Sequence, residues 1–114
     1  MSYFESYQQT VFFDFPELSF PGTTEDAEVY VVNYLSTRNY SLLVTVTNIN
    51  TSVVVRLDGT MDGCNYGAMI SNTITENGTY VYNVTGFPMK KVRANFFKET
   101  GGTNAIVKFQ IVAS

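Results

Sequence analysis

The chain contains no histidine, which removes the commonest general base and the commonest metal ligand at once. A Ser-His-Asp triad or a Cys-His pair is therefore impossible. Carboxylates, hydroxyls, amides and one thiol remain. Asp58 and Asp62 lie close together in sequence, and a carboxylate pair in principle supports glycoside hydrolysis. Each of them precedes a glycine, however, and Asp-Gly is a turn signature that explains both without chemistry. Together with Asn65 they also gather oxygen ligands of the kind Ca²⁺ takes in loops, but without the dense acidic spacing of an EF-hand. Neither a catalytic residue nor a metal ligand is assigned, and no cofactor is expected. Cys64 is the single cysteine, so an intrachain disulfide is excluded, and it reads as a small, partly buried side chain. Gly101-Gly102 joins two strands and opens no helix, so it is not a phosphate cradle.

The elements that position these residues are strands. Alternation at period two is clear at Leu42, Val44, Val46; at Val53, Val55, Leu57; at Val92, Ala94, Phe96; and at Ala105, Val107, Phe109, Ile111. Such alternation buries one face of each strand. Eight strands are predicted: Thr10–Phe15, Glu28–Leu35, Tyr40–Thr47, Ser52–Asp58, Tyr66–Thr73, Thr79–Val84, Lys90–Phe97 and Asn104–Val112. Turn chemistry separates them at Asn48–Thr51, Asp58-Gly59, Asp62-Gly63, Asn77-Gly78, Gly86–Pro88 and Gly101-Gly102. No useful length shows a helical period. The fold class expected is all-β: a two-sheet antiparallel β-sandwich of about eight strands, jelly-roll-like in topology.

At 114 residues the chain is expected to form one sandwich domain over residues 23–114, preceded by an aromatic, acidic segment over residues 1–22. Tyr3, Phe4, Tyr7, Phe12, Phe13 and Phe15 crowd that segment. They read either as a first strand with its lead-in, or as an arm that lays Tyr3, Phe4 and Tyr7 on another subunit. Residues 23–28 read as a solvated acidic loop. Charge is asymmetric: residues 1–37 carry −6 and residues 38–114 carry +3. Lys90, Lys91 and Arg93 form the densest basic cluster and are candidate interface residues. The two regions can attract each other within one molecule or steer neighbouring copies together. Five late basic residues in an acidic protein match nucleic acid poorly. No apolar run approaches the length of a membrane span, and the N-terminus has no basic n-region. The chain is therefore expected to be made in the cytoplasm and to bind neither nucleic acid nor membrane. Four Asn-x-Ser/Thr sites, at Asn39, Asn50, Asn77 and Asn83, are read as a by-product of Asn and Thr abundance.

From Ser52 onward the chain resembles a recurrent β-sandwich of tailed-bacteriophage virion proteins. The resemblance rests on VVVRLDGTMDGCNYGAMI, on ITENGTYVYNVTGFPMKKVRANFFKETGG and on the closing AIVKFQIV. The first piece is also similar to the strand–Asp-Gly–aromatic turn of discoidin or galactose-binding-like jelly rolls, with Tyr66 where an aromatic is expected. The resemblance implies a non-enzymatic virion component made in the host cytoplasm: a capsid decoration or auxiliary head protein that docks on the assembled head. Its implied partners are the major capsid protein or other virion subunits and further copies of itself, as a homo-oligomer. The alternative is a carbohydrate- or receptor-binding module of a phage tail or fibre. Galactose-binding-like relatives often bind sugars, but no ligand residues of theirs carry over to this chain, and the candidate glycan rim of Asp58, Asp62, Asn65 and Tyr66 is read from the residues themselves. Tyr80, Tyr82 and Phe87 are further candidates for a sugar-stacking patch.

Overall fold

The computed structural model describes residues 11–29 and 39–114. Nine strands form among the described residues. They are β1 (Val11–Asp14), β2 (Gly22–Thr23), β3 (Ala27–Glu28), β4 (Tyr40–Thr47), β5 (Ser52–Thr60), β6 (Tyr66–Ile74), β7 (Gly78–Val84), β8 (Lys91–Thr100) and β9 (Ile106–Ala113). One sheet has the order β1-β9-β4-β7 and the other β2-β8-β5-β6, with β3 also pairing β8. Every pairing is antiparallel. Counting β2 and β3 as two pieces of one interrupted edge strand gives two four-strand sheets in jelly-roll order. The fold expected from sequence is the fold observed.

Burial follows the alternation. The members of all four apolar series named above are buried between the sheets. Phe109 on β9 and Phe96 on β8 are the large aromatic fillers, with Tyr40 at one end of the sandwich. Phe13 packs against this core, Phe15 is buried in it, and Leu18 bridges Val107, so the stretch from Val11 to Leu18 is built into the sandwich. Lys108 ties the same stretch down by donating to the Asp14 carboxylate and to the Phe15 carbonyl.

Three expectations change. Asp58-Gly59 is not a turn: β5 runs through it to Thr60, and Asp58 pairs with Arg93 on one side and Ala68 on the other. The turn preference of Asp-Gly is local, and here it is overridden by side-chain partners for the buried carboxylate from β5 and β8. Residues 23–28 are not a wholly solvated loop. Thr24 and Ala27 are buried, and Thr24 exchanges hydrogen bonds with Ala94, its N–H donating to the carbonyl and its hydroxyl accepting from the Ala94 N–H. Cys64 is exposed rather than partly buried. Of the predicted strand Glu28–Leu35, the part from residue 30 lies outside the described residues, as do Tyr3, Phe4 and Tyr7.

Candidate functional site

Two glycines open the core at the Tyr40 end. Gly59 on β5 pairs directly with Gly67 on β6, and the alternation along β5 turns both inward, where a side chain would otherwise fill the space between the sheets. At Gly67 a β-carbon would meet nothing within 4 Å. At Gly59 it would stand 3.0 Å from the end of Met69 and 3.0 Å from the side chain of Met89. Met69 is the extra residue of a bulge in β6, because Leu57 pairs Ile70 while Asp58 pairs Ala68. The result is a groove of about 460 Å³, floored by the glycines and walled by Met69 and Met89. Met61 and Phe87 stand on its rim, 75% and 47% exposed, with Asp62 and Asn65 beside them.

Both rims are held by hydrogen bonds. On the β7–β8 side, the Tyr40 hydroxyl donates to the Phe87 carbonyl at 2.7 Å and accepts from the Met89 N–H at 3.1 Å. Gly86 N–H donates to the Asn39 side chain, and Lys90 N–H to the Thr60 carbonyl. On the β5–β6 side, the Asp62 carboxylate organises its own loop. One oxygen accepts from the Thr60 hydroxyl and from the N–H groups of Cys64 and Asn65, at 3.0, 2.7 and 2.8 Å. The other accepts from the Asn65 amide at 2.6 Å. Four donors stabilise the anion, the Asn65 and Cys64 N–H groups foremost, and hold Asp62 well below the usual carboxylate range. The acceptors a cation would need are already engaged within the loop. Among the described residues no group of three or more metal-ligating side chains forms.

The sequence-predicted rim residues separate. Asp62 and Asn65 line the groove, whereas Asp58 and Tyr66 lie on the outer face of the β5–β8 sheet. Asp58 is only 2% exposed. Arg56 approaches one of its oxygens at 3.4 Å, while Arg93 at 3.8 Å and the Asn95 amide at 3.0 Å approach the other. Arg93 stacks over the Tyr66 ring at 3.8 Å, and Arg56 over Phe97 at 4.3 Å. Burial first, then the Asp26 carboxylate, push the Tyr66 hydroxyl up to about 12. Asp26 approaches that hydroxyl without completing a hydrogen bond of normal geometry. Of the basic cluster, Lys91 pairs with Glu28, Arg93 serves Asp58 and Tyr66, and Lys90 is exposed beside Gly63. Tyr80 and Tyr82 stack in parallel on edge strand β7 and pack against the core. The four-aromatic platform does not assemble: only Phe87 is left at the groove. Sequence reasoning missed the groove itself. Its signal was the occurrence of Gly59 and Gly67 in strand-like runs, where glycine marks a missing side chain or a close approach.

The fold and this end groove define a small jelly-roll β-sandwich with an open cleft at one end between its sheets. No protein-family model matches the chain, and a search of curated proteins found no match. Solved structures do match in fold. The SPBc2 prophage-derived protein YomS, 14% identical, aligns over 93% of this chain and 94% of its own, with a TM-score of 0.60. A carbohydrate-binding module, CBM36, solved with calcium and xylotriose, is 14% identical over 86% of this chain and 78% of its own, with a TM-score of 0.51. At these identities the likeness is one of fold.

Proposed function

We propose that this chain is a non-enzymatic phage structural protein, a decoration or auxiliary protein that docks on the assembled head, and that the end groove receives the anchor of a neighbouring subunit. The observation that carries this reading is the groove's lining: two glycines, two adaptable thioethers, and Met61 with Phe87 exposed above them. An apolar recess of this size takes one or two buried side chains, the kind of central anchor on which protein interfaces depend. Methionine walls conform to such an anchor at little cost in strain. Binding to the assembled shell and not to its free subunits would stabilise the shell by mass action. Likeness to a prophage-derived protein along nearly its whole length is in keeping with a phage setting. Quantitative mass spectrometry of purified particles tests it. A copy number matching the capsid lattice is expected, and absence from particles would refute the reading.

A second reading, a glycan- or receptor-binding tail module, is favoured by the exposed Phe87 ring above a rim that carries Asp62 and Asn65. A handful of copies per particle together with measurable glycan affinity, lost in Phe87→Ala, would establish it in place of the first.

A further inference from the structure

We propose that edge strand β7 pairs with β7 of a second copy about a two-fold axis at Val81, joining two β1-β9-β4-β7 sheets into one of eight strands. The surface is a different one from the end groove, and the pairing does not depend on what the groove receives.

Sheet edges need protection, because their outward N–H and C=O groups offer a ladder to any free strand. Among the described residues the sandwich has four edges: β1 and β7 on one sheet, β2 with β3 and β6 on the other. Three of them carry a safeguard. β2 and β3 are two residues each, β1 is four residues long and carries Asp14, and β6 is interrupted by its bulge. β7 carries none. It runs seven residues, Gly78–Val84, with no charge and no proline, and it pairs β4 in unbroken register throughout. Val81 at its centre is 58% exposed.

The sequence of β7 says what fits it. Thr79-Tyr80-Val81-Tyr82-Asn83 is nearly palindromic. An antiparallel strand turned about Val81 sets Val81 on Val81, each Tyr80 on a Tyr82, and each Thr79 on an Asn83. Positions related in this way differ by an even number, so the residues whose backbone groups point away from β4 meet one another. Whichever set points outward, the pairing supplies about six to eight backbone hydrogen bonds. On the core side Tyr80 and Tyr82 already stand parallel, 6.5 Å between ring centroids, and the Tyr80 hydroxyl donates to the Glu76 carbonyl. The second copy adds two cross-strand tyrosine pairs to rings that are already ordered, and such pairs are favourable. Charge agrees as well. A two-fold brings the central residue against itself, and an uncharged strand meets no repulsion there. Glu76, two residues before the strand, lies at the far end of the pairing from Glu76 of the second copy.

Size sets the strength. Seven residues extend about 24 Å, and a contact one strand wide over that length falls short of the roughly 800 Å² per partner of a stable interface. The dimer therefore exchanges with monomer on dilution. It is also closed, because the pairing uses up both β7 edges.

Analytical ultracentrifugation of the full chain, from micromolar to millimolar protein, reads the mass directly. The parent is expected to pass from monomer to dimer and no further. Val81→Lys and Val81→Glu alter only an exposed side chain in the monomer, yet each sets like charges opposite at the axis. Each should raise the dimer dissociation constant about tenfold, and an equimolar mixture of the two should recover the dimer through a Lys–Glu pair. That recovery is specific to an axis at position 81. A parent that stays monomeric throughout, or a mixture no better than the single variants, would overturn the proposal. Dimers left intact by both substitutions would place the interface elsewhere and overturn it too. If the variants fail to fold, hydrogen exchange of the unaltered protein decides: β7 amides must gain protection as the dimer fills, and unchanged exchange there refutes the pairing. The copy number on particles bears on the proposed function alone.

Discussion

The Tyr40 hydroxyl meets the Phe87 carbonyl at 2.7 Å across 47 residues of sequence, and so couples the closing of the core to the shape of the groove. Tyr40 is 1% exposed. Its ring fills the end of the sandwich, while its oxygen also accepts from the Met89 N–H. One side chain thereby fixes both the rim aromatic and the wall methionine of the β7–β8 loop.

Tyr40→Phe keeps the ring and removes the oxygen. Two backbone groups lose their partner, so a loss of about 1–3 kcal/mol is expected. In a domain near 100 residues each kcal/mol lowers the thermal midpoint by roughly 4–8 °C. Tyr66→Phe should behave differently, because the buried Tyr66 hydroxyl has no hydrogen bond of normal geometry to lose. It is expected to be neutral or slightly stabilising, with Arg93 still stacked on the ring. Thermal unfolding of the two variants side by side is the check; equal losses would contradict the assignment of the Tyr40 bonds.

The paired glycines give an opposed prediction. Gly67→Ala places a methyl in open space on a strand, where lower unfolded-state entropy favours alanine by about 0.4–1 kcal/mol. Gly59→Ala drives the same methyl against Met69 and Met89 at 3.0 Å, and those side chains must shift. Gly67→Ala should raise the midpoint while narrowing the groove; Gly59→Ala should not raise it. Urea unfolding separates them, and a gain at Gly59 equal to that at Gly67 would show that the methionines give way freely.

Asp58 illustrates what the sequence made legible and what it did not. Period-two alternation named every residue of the four apolar series correctly, because burial of one face is written in each strand separately. The Asp-Gly pair at 58 misled because the groups that keep Asp58 in a strand include Arg93 and Asn95, more than 30 residues away on a strand whose pairing no local pattern announces. The groove was illegible for the same reason: Gly59 and Gly67 become a floor only when β5 pairs β6 in that register. Asp62, whose partners lie within three residues, was read correctly as a turn residue.

Removing the Asp58 carboxylate should therefore cost more than removing an ordinary turn residue. Asp58→Ala leaves Arg56 and Arg93 facing a buried space with no counter-charge. Breaking a fully enclosed pair costs about 3–5 kcal/mol. Both arginine side chains retain a quarter or more of their exposure, so water offsets part of this and about 2–3 kcal/mol is expected. Denaturant unfolding measures it. A change below about 0.5 kcal/mol, typical of a surface position, would mean that the ion pairs do not hold the strand.

Acid should loosen the groove rim from the Asp62 side. Four donors depress the Asp62 carboxyl in the folded state, whereas in the unfolded chain it returns to the ordinary value near 3.9. As pH falls below about 4 the unfolded chain takes up the proton first, so stability contributed at neutral pH is progressively lost. Asp14 adds in the same direction, because Lys108 and Gln110 hold its carboxyl down. Asp62→Asn removes the charge at every pH and cannot satisfy all four donors. The variant should be less stable than the parent at pH 7, and the gap should shrink as both are taken toward pH 2. Thermal midpoints recorded across that range decide it. A gap independent of pH would assign the Asp62 contribution to loop shape rather than to its charge.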